Sequence, residues 1–247
     1  MTRPRSPLLA ATVCFLLCLT LPACAQAQTD RLPAPSTPIP SPSPTAVPAL
    51  GVAIDPAVPL ELRSSLHFPA GTTPAASGQP GAAALGAARE PGADEVASLT
   101  WVYALAAAFP TLEEETSLDA LRARWAANTA PGSAPALLLR TVDLPVFTHL
   151  WGPPGSAVQA LPLDEMLQTA WELPGTYAIV PFELLEPRWK VLRVNGHSPL
   201  EKGLPLAEYP LALRFSLTCS GHPACADLAG LLPPSNRQED KMAVVIL

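Results

Sequence analysis

This chain lacks a basic cluster. Its 15 lysines and arginines face 21 aspartates and glutamates over 247 residues, a formal net charge of −6, and the cations are spread along the sequence. Nucleic-acid binding draws most of its affinity from neutralising phosphates, so nucleic acid is not an expected partner. Adhesion by charge to an anionic membrane surface is not expected either. Histidine is sparse too. His67, His149, His197 and His222 form no i,i+4 pair and have no aspartate or glutamate at metal-ligand spacing, so no metal site is expected. No glycine-rich fingerprint follows a strand, and no cofactor is expected. A Ser/His/Asp triad is recognised by geometry rather than by sequence position, and nothing in the residues promotes one. Internal repeats are missing as well. The chain offers no catalytic constellation.

What is present begins with a leader. Arg3 and Arg5 precede an apolar stretch from Leu8 to about Leu21. That is shorter than the roughly 20 residues a membrane span needs and is built like an export signal. Leu21-Pro-Ala-Cys24 is similar to the bacterial lipobox, whose cysteine is lipidated and becomes the mature N-terminus. Ordinary cleavage at Ala23-Cys-Ala25 or Ala25-Gln-Ala27 is the alternative. Residues 1–24 thus read as a signal peptide, with Cys24 as the lipidation site and a lipid anchor as the route to a membrane. Its removal takes two positive charges and no negative one, moving the net charge from −6 to about −8. Residues 25–50 form a linker in which Pro33, Pro35, Pro38, Pro40, Pro42 and Pro44 alternate with Ser, Thr and Ala. Such a run favours polyproline II, a stiff spacer that cannot pair into a sheet; a plain disordered tail has the same composition.

Cys14 and Cys18 leave with the leader and Cys24 carries lipid, so Cys219 and Cys225 remain. In an oxidising compartment these two make a small disulfide loop. His222 lies inside it, but two cysteines and one histidine lack a fourth metal ligand.

Residues 51–234 carry the expected α/β domain, and Glu172 to Leu200 is its most telling stretch. Pro174-Gly175 supplies a turn, Tyr177 to Val180 a short buried strand, and Pro181 with Glu183 the start of a brief helix. Trp189 to Val194 makes a second strand, closed by Asn195-Gly196. Two such strands side by side in one sheet, joined by a brief helical crossover, are α/β organisation. Elsewhere, strands are expected over Gly51 to Asp55, Thr100 to Phe109, Ala136 to Val142 and Leu211 to Thr218, with the alanines of Thr100 to Phe109 leaving a helix open there. Short helices are expected over Pro59 to Leu66, from Thr111 onward with Leu118, Leu121 and Trp125 on one face, and over Leu163 to Trp171. In the last of these Leu163, Met166, Leu167, Ala170 and Trp171 form the apolar side. Phe147 to Gly155 reads as a loop, and residues 69–94, rich in Pro, Gly, Ala and Ser, as a low-complexity insert. Residues 235–247 read as a polar linker followed by the first strand, Met242 to Leu247, of a further domain; a last strand of the present sheet is the alternative.

Three places carry a family resemblance. They are the Tyr103 to Trp125 pattern, with Phe109-Pro-Thr111 between a strand and a helix; Pro174-Gly-Thr-Tyr-Ala-Ile-Val-Pro181 running to Val191-Leu-Arg-Val-Asn-Gly196 and Pro199; and Tyr209-Pro-Leu211. Together they resemble the type 2 periplasmic binding protein fold in its phosphate-binding-like branch, with Asn195 where that pattern has an aspartate. From about residue 51 to 247 the chain is also similar to the N-terminal region of bacterial lipoproteins of the CapA group, which serve capsule or poly-γ-glutamate biosynthesis. The resemblance implies a mixed sheet flanked by helices and a site for a small polar ligand or an envelope-polymer fragment. It also implies a C-terminal calcineurin-like metallophosphatase domain, whose Asp and His ligands would lie beyond Leu247. Three functions follow: an exported, lipid-anchored binding-type module of the cell envelope; the N-terminal part of a metal-dependent phosphoesterase; or a structural lobe without ligand.

Ligands of mixed α/β sheets sit at the carboxyl ends of strands, where helix N-termini present free N–H groups. Thr111 follows a strand and has Glu114 three residues on, the spacing of a capping box. It would hold an anion or carboxylate, or simply cap the helix; Glu113, Glu114 and Glu115 oppose a phosphate there. Thr148, His149, Trp151 and Ser156 fall where, by the resemblance, phosphate binders carry a serine-glycine-threonine loop. Here that loop reads Gly152-Pro-Pro-Gly-Ser156, and proline removes donors, so the anion grip is degenerate. Trp151 would stack on a sugar or ring, or pack half-buried. Trp189 reads as core and Arg188 as solvated.

Overall fold

The structure, a computed structural model, describes residues 49–75, 82–130, 133 and 136–237. Cys24, the leader, most of the proline-rich linker and the Met242 to Leu247 run lie outside them. In chain order the strands and helices are β1 (Leu50–Ile54), α1 (Leu60–Ser64), β2 (Thr72–Ala75), β3 (Ala83–Ala87), β4 (Glu95–Ala108), β5 (Glu115–Thr116), α2 (Leu118–Ala126), β6 (Leu137–Arg140), α3 (Leu144–Trp151), β7 (Val158–Leu161), α4 (Leu163–Glu172), β8 (Tyr177–Pro181), β9 (Trp189–Val194) and β10 (Ala212–Cys219). Among the described residues no helix is long and apolar enough to cross a membrane.

The long strand β4 organises the domain, because its two ends belong to different sheet neighbourhoods. Its first part pairs antiparallel with β10, from Thr218↔Glu95 to Ala212↔Val102. Beyond β10 lie β3, β1 and β2, the last three mutually parallel. Its second part pairs antiparallel with β8, from Tyr103↔Pro181 to Ala107↔Tyr177, and β6 and β7 follow in parallel. Strand β9 pairs with Leu105 to Ala108 on the opposite edge of β4, in line with β10. The expected mixed sheet flanked by helices is therefore present, with one difference. Tyr177–Pro181 and Trp189–Val194 share a sheet but are not adjacent, since β4 runs between them. The crossover is a single 3-10 turn, Phe182–Leu184.

Burial follows the alternation of side chains across a pleated strand. Leu137, Leu139, Tyr177, Ile179, Tyr103 and Leu105 face one core, where Leu121 and Trp125 of α2 and Val146 and Phe147 of α3 meet them. Leu138, Ala178, Val180 and Ala106 face the other, against Met166, Leu167 and Ala170 of α4. Strands covered on both faces read as unbroken apolar runs, and β6 and β8 are buried along their whole length. Trp171, expected on the apolar side of α4, is 44 % exposed. Trp189 is buried and Arg188 is exposed beside Glu186, as expected.

Local chemistry explains the turns. Asn195 and Gly196 have φ of 51° and 81°, the pair of positive values a type I′ turn requires. Val194 and His197 exchange both backbone hydrogen bonds across it. Three expectations are corrected. Residues 69–94 contain β2 and β3, whose alanines suit close-packed strands rather than a loop. Thr111 opens no helix: residues 111–114 are irregular, and Ser117 caps α2 by accepting from the Ala120 N–H at 3.1 Å. Phe147 to Trp151 is not loop but the end of α3, which starts with Pro145 in its first turn, where the missing N–H costs nothing. The Cys219–Cys225 disulfide is formed.

Candidate functional site

Strand directions bring chemistry to the middle of β4. Strands β1 and β3 run the same way as β4, while β6 and β8 run against it, as the pairings require. The carboxyl ends of the two half-sheets therefore point at each other across Val102 and Tyr103, the arrangement in which strand ends and helix starts line a crevice. Five polar side chains meet there: Glu61 on α1 after β1, Arg140 at the last position of β6, Asp143 in the turn that follows, Glu183 in the turn after β8, and Tyr103 of β4.

Arg140 is the centre. Its Nε donates to Asp143 Oδ2 at 2.6 Å and its Nη2 to Asp143 Oδ1 at 2.9 Å, one bidentate fork. Nη1 and Nη2 donate to the two oxygens of Glu61, the second at 2.8 Å. Tyr103 Oη donates to Asp143 Oδ1 at 3.0 Å. Both planar edges of the guanidinium are thus spent within the chain, and the pair with Glu61 ties one half-sheet to the other. Beside it, β8 ends at Pro181 and leaves Val102, paired with Ala212 on its other edge, without a strand neighbour on the β8 edge. The Asn236 amide takes that place: Val102 N–H donates to Asn236 Oδ1 at 2.8 Å, and Asn236 Nδ2 donates to Val102 O at 2.9 Å and also to Glu183. One acceptor and one donor on a single side chain replace a strand partner.

Burial and charge pull these groups apart electrostatically. For Glu61 burial pushes the pKa up, but the Arg140 hydrogen bonds and charge outweigh it and hold the carboxyl below its ordinary range. For the more deeply buried Asp143 desolvation wins over Arg140 and Tyr103, and its pKa is raised. Glu183 is raised by burial despite Asn236. The Tyr103 phenol is pushed up by burial and by the Asp143 charge. Among the described residues no group of three or more His, Cys, Asp and Glu is placed to hold a metal ion.

Open space lies on the β10 side of the junction, where Ala212 pairs with Val102. A cavity of about 270 Å³ is lined by Ala88 and Arg89 after β3, by His149 and Leu150 of α3, and by Leu213 and Arg214 of β10. Arg214 is already paired with Glu95 across the strands. That pair and the Ser216 hydroxyl hold the Glu95 carboxyl down at about 2. A carboxyl depressed in the folded state contributes stability above its unfolded pKa and loses it as pH falls through the folded one. The stability difference between the wild type and Glu95→Gln is therefore expected to be full above about pH 5 and to vanish toward pH 2, with the unfolded value near 4.3. Urea titrations along that pH range measure it; a pH-independent difference would rule out the charge pairing as its origin.

The residues singled out from the sequence are dispersed. Thr111 lines a separate cavity with Leu112, Glu113, Trp171 and Gly175, and its carbonyl accepts from Lys190 Nζ at 2.7 Å. Thr148, His149 and Trp151 share α3, but His149 borders the cavity beside Arg214 while Trp151 packs on Trp125 and Phe147. Ser156 accepts from the Thr129 N–H at 3.0 Å, and its own N–H goes to Asn128, an inter-segment clasp. The central cluster of Glu61, Arg140, Asp143, Glu183 and Asn236 is not among the residues the sequence singles out as a site. One signal was available: a lone arginine closing the apolar run Leu137 to Leu139, with an aspartate three residues on.

No protein-family model matches the chain, and no curated protein does. Solved structures similar to it include an ABC-type phosphate transport receptor from Vibrio cholerae, at 10 % identity and a TM-score of 0.45, covering 57 % of this chain and 68 % of that one. A putative phosphate ABC transporter substrate-binding protein with bound phosphate from Clostridium perfringens follows, at 8 % identity and 0.39, covering 60 % and 71 %. The reduced form of the OxyR regulatory domain from Pseudomonas aeruginosa is similar at 12 % identity and 0.33, covering 60 % and 72 %.

Proposed function

We propose that this chain is an exported, lipid-anchored recognition module of binding-protein type, serving metabolism of a cell-envelope polysaccharide or of poly-γ-glutamate. Its ligand is a small polar molecule or a fragment of such a polymer, taken up where the two half-sheets meet. The observation that carries the reading is the opposition of strand carboxyl ends across Val102 and Tyr103, beside an open cavity bordered by Arg89 and His149. The leader, the lipobox-like Leu21 to Cys24 and the proline-rich spacer support export, anchoring at Cys24 and distance from the membrane. In the full-length protein a metallophosphatase-like domain would follow, and the module would present polymer to it. Thermal unfolding with inorganic phosphate, glutamate oligomers and envelope sugars tests this. A specific ligand at 100 times its Kd stabilises the folded state by about 2.7 kcal/mol, a shift of several degrees. No shift from any of them at millimolar concentration would leave a lobe that binds nothing.

A further inference from the structure

The cavity beside Arg214 does not end at α3. A second cavity, of about 410 Å³, is lined by Arg89, Arg122, Trp125, Ala126, Leu150 and Trp151. The two share Arg89 and Leu150, so they adjoin, one on the β10 side of α3 and the other over the α2–α3 seam, and together they make up a groove. Their combined size is that of a ligand cleft, in the range of about 300–1,000 Å³. Its charge stands out in an acidic protein. No carboxylate lines either cavity, and Glu90, next to Arg89, borders a different depression with Asp55. Arg89 and Arg122 are exposed, and neither has an ion-pair partner among the described residues. Most other cations of the domain are engaged: Arg140, Lys190, Arg193 and Arg214 in ion pairs, and Arg124 over the Tyr177 ring. The aromatic wall is rigid. Trp125 donates its Nε1–H to Gly152 O at 2.9 Å and meets Trp151 edge to face at 5.6 Å, so the partly buried Trp151 holds a fixed ring at the cavity.

Two unpaired guanidiniums and a fixed indole suit a ligand with carboxylates and an apolar ring face. Guanidinium binds carboxylate through a planar fork, and an immobilised indole offers contact area at little entropic cost. We propose that this groove binds an acidic oligosaccharide, with uronate carboxylates on Arg89 and Arg122 and a sugar ring against Trp151. The assignment rests on the recognition-module reading and names its ligand class.

Calorimetric titration of the full chain with trigalacturonate at low salt tests it. The wild type binds. Arg89→Glu/Arg122→Glu, two exposed changes, weakens binding at least tenfold. Lys202→Glu, an exposed change outside both cavities, leaves it within twofold. Trp151→Phe, which keeps an aromatic ring in the packing, weakens it severalfold, and an α-linked triglutamate of the same charge binds at least tenfold more weakly. The assignment is overturned if the wild type does not bind, if Lys202→Glu loses as much as the double variant, if the double variant binds normally, or if triglutamate binds as well as the sugar. Should trigalacturonate fail while phosphate or a neutral envelope sugar raises the melting temperature, only the acidic-sugar assignment falls. If nothing binds, the recognition reading falls with it.

Discussion

Arg140→Met is expected to destabilise the domain by about 3–5 kcal/mol, the loss seen when one partner of a buried ion pair is removed. The Arg140 side chain is 7 % exposed and that of Asp143 is 0 %, so Asp143 would be left buried without its counter-charge, with only the Tyr103 hydroxyl as donor. Glu61 is more accessible, and Arg140 keeps its second fork on Asp143 without it. Glu61→Gln should accordingly cost much less, about 1 kcal/mol or under. The decisive comparison is the triple variant Glu61→Gln/Arg140→Met/Asp143→Asn, which removes the charges together and should recover part of the loss. Urea denaturation of the four proteins reads this directly. A cost below 1 kcal/mol for Arg140→Met would mean that water reaches the cluster and that the half-sheets are not tied through it. The same variants report on the junction: when Arg140 is lost, its hold on Glu61 goes, and proteolytic cleavage near the α1 segment should speed up.

Gly155→Ala is the second change expected to be severe, at about 3 kcal/mol or more, the upper end of overpacking costs. A Cβ at Gly155 would lie 2.0 Å from Ala127 O and 2.6 Å from Ala127 C. These are backbone atoms at the end of α2 and cannot rotate away. The contact is held by hydrogen bonds on both sides, Gly155 N–H to Trp125 O at 2.8 Å and Ala157 N–H to Ala127 O at 3.0 Å. Relief would require α2 to move off β7, carrying Trp125 with it. Gly92→Ala is the control: a Cβ there meets nothing within 4 Å, and little change is expected. Thermal melts of both decide the matter, and equal melting temperatures would refute the close approach. Glycine at 155 is explained by this backbone contact without invoking an anion loop.

Much of the architecture was legible before any fold was known, because it depends on local periodicity. Tyr177 to Val180 and Trp189 to Val194 are strands, Asn195-Gly196 is the turn its composition demands, and of the expected apolar side of α4 only Trp171 is exposed. The expectations that the structure corrects share a cause. Alanine, glycine and proline in residues 69–94 resemble loop composition, yet small side chains are also what closely paired β1, β2 and β3 tolerate. Thr111 has capping chemistry, but Ser117, six residues later, has it too, and the β5–β9 pairing at Glu115–Thr116 holds the chain extended until Ser117. In α3, Gly152 and Pro153 favour a loop only after Trp151, and Pro145 marks the helix start before it.

The polar cluster was illegible for a different reason. Glu61 and Arg140 are 79 positions apart, and Val102 and Asn236 are 134 apart. Nothing in either neighbourhood names its partner. The cysteine pair and the alternation of buried faces are properties of short stretches, so the order of residues along the chain settles them. Which carboxylate meets Arg140, which amide completes the edge of β4, and which arginines stay unpaired around Trp151 depend on strand direction. Strand direction comes from the pairing of β4 with three partners at once, and that choice is made by packing across the whole domain.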